Sequence, residues 1–144
     1  MIESITEKVK KLENDKGNKL FLTVDEAVNI ASVMSKPLNA NVVAHIVLLE
    51  ESPVDKEIDE NSGMQRQRNT VGILIGIRST GRAEDTNTEL VNIRKKLNEG
   101  LFGWVPKDGY KPLSKALCNM QKLQDQQLFW MERYSTTYYL ESTL

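Results

Sequence analysis

Apolar residues recur at three- and four-residue steps near the start of the chain, and at every second position in its middle and at its end. The first spacing is typical of amphipathic helices and the second of strands, so the pattern predicts both kinds of element. Ile2, Ile5, Val9 and Leu12 are separated by charged residues. They predict a first helix, which the turn formers of residues 15–18 end.

A short strand and a second helix are predicted next. Residues 19–22 favour a strand, and the spacing of Thr23 and Glu26 matches a capping box, which predicts that a helix begins at Thr23. Pro37 ends this helix, because the residue before a proline avoids the helical conformation. The expected buried stripe of the helix consists of Val24, Ala27, Val28, Ala31 and Met34.

The middle of the chain predicts two long strands joined by an acidic loop. Residues 41–50 are almost entirely apolar, which is typical of a central strand covered on both faces. Residues 51–63 form the loop, and residues 65–78 alternate strictly enough to predict the second strand. Gly72 and Gly76 share one face of that strand and predict a surface on which a helix packs.

The last part of the chain predicts a third helix and a β-hairpin. The helix covers residues 85–98, with Gly100 as its left-handed cap. Residues 113–123 and 128–141 alternate as two strands, and the second strand carries an aromatic face. The inner face of the helix is expected to consist of Leu90, Ile93, Leu97 and Leu101. The order α-β-α-β-β-α-β-β predicts a single α+β domain over residues 1–144, with a mostly antiparallel or mixed sheet flanked by helices.

The composition of this 144-residue chain is that of an ordinary globular domain, with 40% hydrophobic and 27% charged residues. The net charge is −1, which argues against binding of duplex nucleic acid through a basic face. Cys118 is the single cysteine, so no intrachain disulfide or thiolate zinc cluster is expected. No apolar stretch reaches the ~20 residues that span a bilayer, and no signal peptide is recognisable. We therefore expect a soluble protein of a reducing compartment, without membrane contact.

The candidate chemical residues predict no catalytic, cofactor or metal site. His45, the single histidine, lies in the most apolar strand and is expected to be a core or interface residue. Cys118 alternates with apolar neighbours and is expected to be a small buried hydrophobe. Gly72 and Gly76 lack the spacing of phosphate-binding motifs, and the acidic loop lacks the remaining ligands of a calcium site. An enzyme is therefore the least favoured class of function.

Charged residues lie at both ends of the long strand, and two interpretations of them stay open. They are either solvated charges that discourage aggregation of edge strands, or partners of acidic loops on a neighbouring copy. Strands of 12–14 residues are ~40–45 Å long, more than a globule of this size accommodates, which favours contacts outside the subunit. The candidate interface residues are Arg66, Arg68, Arg78 and Arg82, with Glu57, Asp59 and Glu60 in the loop.

Four segments, in this order, resemble the tail terminator (tail completion) proteins of long-tailed bacteriophages. They are MQRQRNTVGILIGIRSTG, LNEGLFGWVP, KPLSKA and QLFWMERYSTTYYL, and the resemblance covers roughly residues 40–142. It implies a small α+β domain, six copies of which form a ring at the head-proximal end of the tail tube. The implied function is structural: the ring stops tube polymerisation and presents a surface to the head connector.

The resemblance also implies partners and residue roles. The partners are other copies of the chain, the tail tube protein and a head-completion or connector protein, and assembly takes place in the host cytoplasm before the protein becomes part of the virion. DNA is expected to pass through the channel without specific binding, because subunits of charge −1 make a nearly neutral ring. Interface roles fall on Arg66, Gln67 and Arg68, and architectural roles on Trp104, Pro106 and Tyr134. No cofactor is implied.

Two alternatives stay open. Residues 19–123 contain the β-α-β-β-α-β order of a ferredoxin-like sandwich, as in small ligand-binding or regulatory domains. Another head–tail completion ring of a phage is a close neighbour of the favoured function.

Overall fold

The computed structural model describes residues 1–79 and 81–143. Within them, the chain forms α1 (Ile2–Lys10), β1 (Thr23–Glu26), α2 (Ile30–Met34), β2 (Val42–Pro53), β3 (Met64–Arg78), α3 (Ala83–Leu101), β4 (Ser114–Lys115), β5 (Asn119–Gln124) and β6 (Gln127–Glu141). The α+β class and the order of helices and strands are confirmed, with the two-residue β4 as an addition.

The strands form one mixed sheet in the order β1-β2-β3-β6, and β4 and β5 both pair with the far edge of β6. β1 is parallel to β2, and all other pairs are antiparallel. A split βαβ arrangement has another strand between the two parallel strands that a helix connects. Here α2 connects β1 and β2, and these two strands are direct neighbours in the sheet. The ferredoxin-like alternative, a split βαβ arrangement, is therefore wrong.

The larger core lies on the face of the sheet that carries α1 and α3. Alternate residues of β3 from Val71 to Ile77 have no exposed surface and pack with Ile5 and Val9 of α1. The helix α3 contributes the predicted inner face, namely Leu90, Ile93, Leu97 and Leu101. The strict alternation of β3 thus directs its branched side chains to the two longer helices.

A smaller core covers the other face, on the side of α2. It is formed by Leu38, Val43, Val47, Leu74, Phe129 and Met131. Gly72 and Gly76 lie on this face, on which α2 packs, but the atoms nearest to the two glycines do not belong to the helix. Side chains fill the space instead: a Cβ on Gly76 would lie 2.9 Å from atoms of both Leu38 and Val43.

The region between α1 and β2 differs from the prediction. Residues 23–26 form β1 rather than the start of a helix, and residues 19–22 are not a strand. Pairing with β2 provides hydrogen-bond partners for the backbone of this segment. This pairing overrides the capping-box pattern. The short helix begins only after Asn29, whose side chain accepts a hydrogen bond from the Ser32 amide at 3.1 Å. Val28, expected to be buried, is 99% exposed.

The end of α3 differs as well. The helix continues to Leu101, so Gly100 lies inside it, and the left-handed residue is Gly103 with a φ of +80°. Gly100 serves a different purpose, because a Cβ at this position would lie 2.6 Å from the side chain of Leu12. The glycine allows Leu12, just after α1, to approach α3 closely.

The strand predicted over residues 113–123 is divided into β4 and β5, which pair with different parts of β6. The following turn contains Asp125 and Gln126, with φ values of +54° and +61°. Two consecutive positive φ values are typical of the type I′ hairpin turn.

β3 and β6 extend beyond both cores. They pair from Met64 opposite Glu141 to Arg78 opposite Gln127, yet neither core contains a β3 residue before Val71. The seven earlier residues of β3 project by roughly 20 Å at about 3.3 Å per residue. With the end of β2 they form a three-stranded extension, the sheet tip (residues 50–53, 64–70 and 135–141).

Candidate subunit and partner interface

The predicted interface residues lie at opposite ends of β3. Arg66, Gln67 and Arg68 are in the sheet tip beside the acidic loop, which the structure shortens to residues 54–63, whereas Arg78 is the last residue of β3. At about 3.3 Å per residue, Arg66 and Arg78 are roughly 40 Å apart along the strand. One chain therefore brings Arg66 and Arg68 close to the acidic loop but leaves Arg78 far from it.

Arg66 is paired within its own chain. Its guanidinium lies 2.9 Å from Asp55 Oδ1, and its backbone amide donates to Asp55 Oδ2 at 3.0 Å. The hydrogen bond from Arg66 lowers the pKa of Asp55. Arg66 thus fastens the start of the acidic loop to β3.

Arg68 and Gln67 differ in environment although they are adjacent. Arg68 is exposed, and within residues 1–79 and 81–143 its side chain makes no ion pair or hydrogen bond. Gln67 is 9% exposed and donates to Gln65 Oε1 at 3.2 Å. Of the three residues, Arg68 is the one whose charge is available to a partner.

The acidic loop presents three carboxylates to solvent, those of Glu57, Asp59 and Glu60. None of them forms an ion pair with any residue that the structure describes. Asp59 accepts a hydrogen bond from the Asn61 amide at 2.9 Å and so shapes the turn. The acidic loop is therefore net negative, because Asp55 is paired with Arg66 and these three carboxylates outnumber the single lysine of the loop, Lys56.

At the other end of β3, Arg78 donates to the backbone oxygen of Leu38 and, at 3.4 Å, to Asn41 Oδ1. These contacts tie the segment after α2 to β3. Arg82 precedes α3 and is exposed, with no side-chain partner among the described residues.

Two of the residues expected to be architectural, Tyr134 and Trp104, lie in or beside the larger core. Pro106 and Tyr134 are buried, and Tyr134 donates to Asn98 Oδ1 at 2.6 Å. Trp104 is half-buried against the same core, with Lys8 Nζ 5.3 Å from its ring centroid.

Sequence reasoning missed Glu132, which has no exposed surface and lies on the aromatic face of β6. Arg94 binds it at 2.6 and 3.3 Å, and Trp130 Nε1 donates at 3.0 Å. Lys115 and the Cys118 thiol also donate to Glu132 Oε1. The only available signal was an acid at an even position between two aromatic residues.

This cluster determines the charge state of Glu132. Burial alone would raise the pKa of the carboxyl, but the hydrogen bonds from Arg94, Lys115 and Cys118 outweigh burial, so the pKa lies below its ordinary value. Glu132 is therefore ionised at neutral pH and ties α3 to the sheet. Cys118, expected to be a plain hydrophobe, is a half-buried hydrogen-bond donor in this cluster.

Polar contacts also hold the sheet tip together. Tyr138 stacks on Tyr110 with ring centroids 4.8 Å apart, and its hydroxyl donates to Glu51. This hydrogen bond, with burial, raises the pKa of Tyr138 to about 12. Asn69 Oδ1 is buried and lacks a hydrogen-bond partner among the described residues.

His45 is half-buried beside α2, and burial lowers its pKa against the opposing effect of Asp25.

In the parts of the chain that the structure describes, no three His, Cys, Asp or Glu side chains are grouped to hold a metal. Over the same residues, no helix is long and apolar enough to span a membrane.

Comparisons with known proteins agree with this architecture. Residues 15–143 match the sequence model of a family described as "Phage tail terminator protein", and no curated protein matches the chain. A chain in the solved structure "Virion of native gene transfer agent (GTA) particle" has a similar fold, with a TM-score of 0.52, 13% identity and coverage of 81% of this chain and 78% of that one. Because the family match extends over most of the sequence, the chain belongs to the phage tail terminator family of structural virion proteins.

Proposed function

We propose that six copies of this chain form a ring that closes the head-proximal end of a phage tail tube. The ring stops tube polymerisation and presents its outer surface to a head-completion or connector protein. Membership of the tail terminator family is the observation that carries this proposal.

The distribution of free strand edges supports a ring. β5 lies at one edge of the sheet and carries exposed apolar side chains, with Met120 53% and Leu123 62% exposed. At the other edge β1 covers only the first part of β2, which leaves residues 47–53 of β2 without an outer strand among the described residues. Contacts between two different edges repeat in one direction and close into rings when the rotation allows it.

The charge distribution suits a channel for DNA. Each chain has a net charge of −1, so six copies give a mildly acidic ring. A ring without net positive charge attracts DNA only weakly, so we expect DNA to pass through it without being held. The proposed partner contacts involve charges at the two ends of β3 that form no ion pair with any described residue, namely those of Arg68, Arg82, Glu57, Asp59 and Glu60.

Negative-stain electron microscopy with native mass spectrometry of the purified chain tests the proposal. Six copies of the 16.4 kDa chain weigh about 98 kDa, and we expect six-fold rings of that mass, alone or on isolated tail tubes. A chain that stays monomeric both alone and with tubes would contradict the ring. Rings that bind isolated heads but never tubes would favour the neighbouring function, a head-completion ring.

A further inference from the structure

We propose that a basic pocket at the end of β3 binds the acidic loop of an adjacent copy. This inference rests on the proposed ring and assigns one of its contacts. The basic pocket is a cavity of about 370 Å³ between the end of α2, the end of β3 and the β5–β6 turn. Its lining comprises residues 34–37, 78, 122 and 124–127.

Three cations line this pocket, those of Lys36, Arg78 and Lys122, against the single acid Asp125. Within the described residues none of these four side chains forms an ion pair. Lys122 Nζ donates to the Met34 carbonyl at 3.1 Å, and Arg78 donates to the Leu38 carbonyl. Backbone carbonyls position these cations without neutralising them, so the pocket keeps its positive charge.

The complementary charge exists in the chain but is out of reach. The carboxylates of Glu57, Asp59 and Glu60 have no ion-pair partner among the described residues, and they lie beyond the opposite end of β3. Since about 40 Å of strand separates the two ends, a loop cannot enter the pocket of its own chain. A second copy can supply it.

The two surfaces also lie on the edges that are free for such a contact. The pocket includes the last residue of β5, at one edge of the sheet. The acidic loop directly follows the uncovered part of β2, at the other edge. A staggered contact between β5 of one copy and β2 of the next brings loop and pocket together, and each copy still has its other surface free to continue the ring.

Paired charge reversals test this contact. The pocket variant is K36E/K122E and the loop variant is E57K/E60K. We expect each variant alone to self-associate roughly tenfold or more weakly than the wild type, because like charges then face each other. An equimolar mixture of the two variants should regain the association of the wild type. When the two variants alternate, the acidic pocket of one faces the basic loop of the other. Sedimentation velocity measures association, and native mass spectrometry measures the alternation.

Matched controls separate the contact from folding and from net charge. K95E/K107E changes the net charge as much as the pocket variant does but alters exposed lysines outside the pocket, and its association should equal that of the wild type. Lys122 also holds the Met34 carbonyl, so K36E alone serves as a second pocket variant that leaves this bond intact. Circular dichroism confirms that each variant is folded.

If both variants associate as strongly as the wild type, the pocket contact is overturned, but the proposed ring is not. Two weakened variants that do not recover on mixing would show that the pocket does not bind the acidic loop of a second copy, which also overturns the inference. A wild-type chain that neither associates nor caps tubes would overturn the proposed function itself.

Discussion

Arg94 on α3 donates two hydrogen bonds, at 2.6 and 3.3 Å, to Glu132 on β6, a carboxylate with no exposed surface. The guanidinium carbon of Arg94 also lies 4.7 Å from the ring centroid of Trp130. A buried carboxylate is stable only when its oxygens are paired and hydrogen-bonded, and here two cations supply that pairing. This polar contact joins α3 to β6 beside the apolar larger core.

The two ends of this ion pair should differ in their contribution to stability. Replacing Glu132 leaves Arg94 and Lys115, whose side chains are 33% and 31% exposed and can turn towards water. Replacing Arg94 leaves the buried carboxylate with one cation fewer. We therefore expect Arg94→Leu to lower the free energy of unfolding by about 3 kcal/mol and Glu132→Leu to lower it less. Urea unfolding measures both, with Arg82→Leu as an exposed control; equal losses would contradict the assignment.

Acid should weaken the protein partly through Glu132. The folded-state pKa of this carboxyl is below its unfolded value of about 4.3, so its stabilising contribution is complete above that value and is lost as the pH falls towards the folded pKa. Glu132→Gln removes this contribution. Thermal unfolding between neutral and acidic pH should show a smaller loss of Tm for the variant than for the wild type. Parallel curves would show that Glu132 does not titrate in this range.

The β5–β6 turn should be open to stabilisation. Asp125 and Gln126 both have positive φ values, which cost an ordinary residue roughly 1–2 kcal/mol and glycine almost nothing. Glycine is also the preferred second residue of a type I′ turn. Gln126→Gly should therefore raise the free energy of unfolding by about 0.5–1 kcal/mol, as measured by urea unfolding. Gln124→Gly, in β5, is the control and should be destabilising.

The two arginines of the sheet tip should have different effects on assembly. Arg66 is paired with Asp55 in its own chain, whereas Arg68 is exposed and unpaired among the described residues. Arg68→Glu is expected to reduce ring or tube binding in electron micrographs while the monomer stays folded. Arg66→Ala should retain more ring formation or tube binding than Arg68→Glu does. The reverse order would mean that the pair with Asp55 opens when a partner binds.

The long elements could be predicted because their patterns are local. β3, β6 and α3 each keep one period over 15 residues or more, and the predicted inner face of α3 is buried. The aromatic face predicted for β6 is buried only in part, because Tyr134 is buried whereas Leu140 at the end of the strand is 54% exposed. β1 could not be predicted in this way. Four residues set no clear period, and their strand conformation depends on pairing with β2, about twenty positions later.

The interface and the buried charge illustrate the same limit. The arginines and acids at the two ends of β3 were recognisable as charged groups, but which of them are already paired depends on contacts such as that between Asp55 and Arg66. Glu132 resembled a surface acid, because its partners Arg94 and Lys115 are 38 and 17 positions away. Pairing across such distances has no short-range signature in the sequence.

The most direct test of the terminator function is a polymerisation assay with purified tail tube protein, followed by electron microscopy. Tubes that grow with this chain present should stop elongating and carry one six-fold ring at a single end. The account would be contradicted if tubes reach the same lengths with and without the chain and their ends carry no ring.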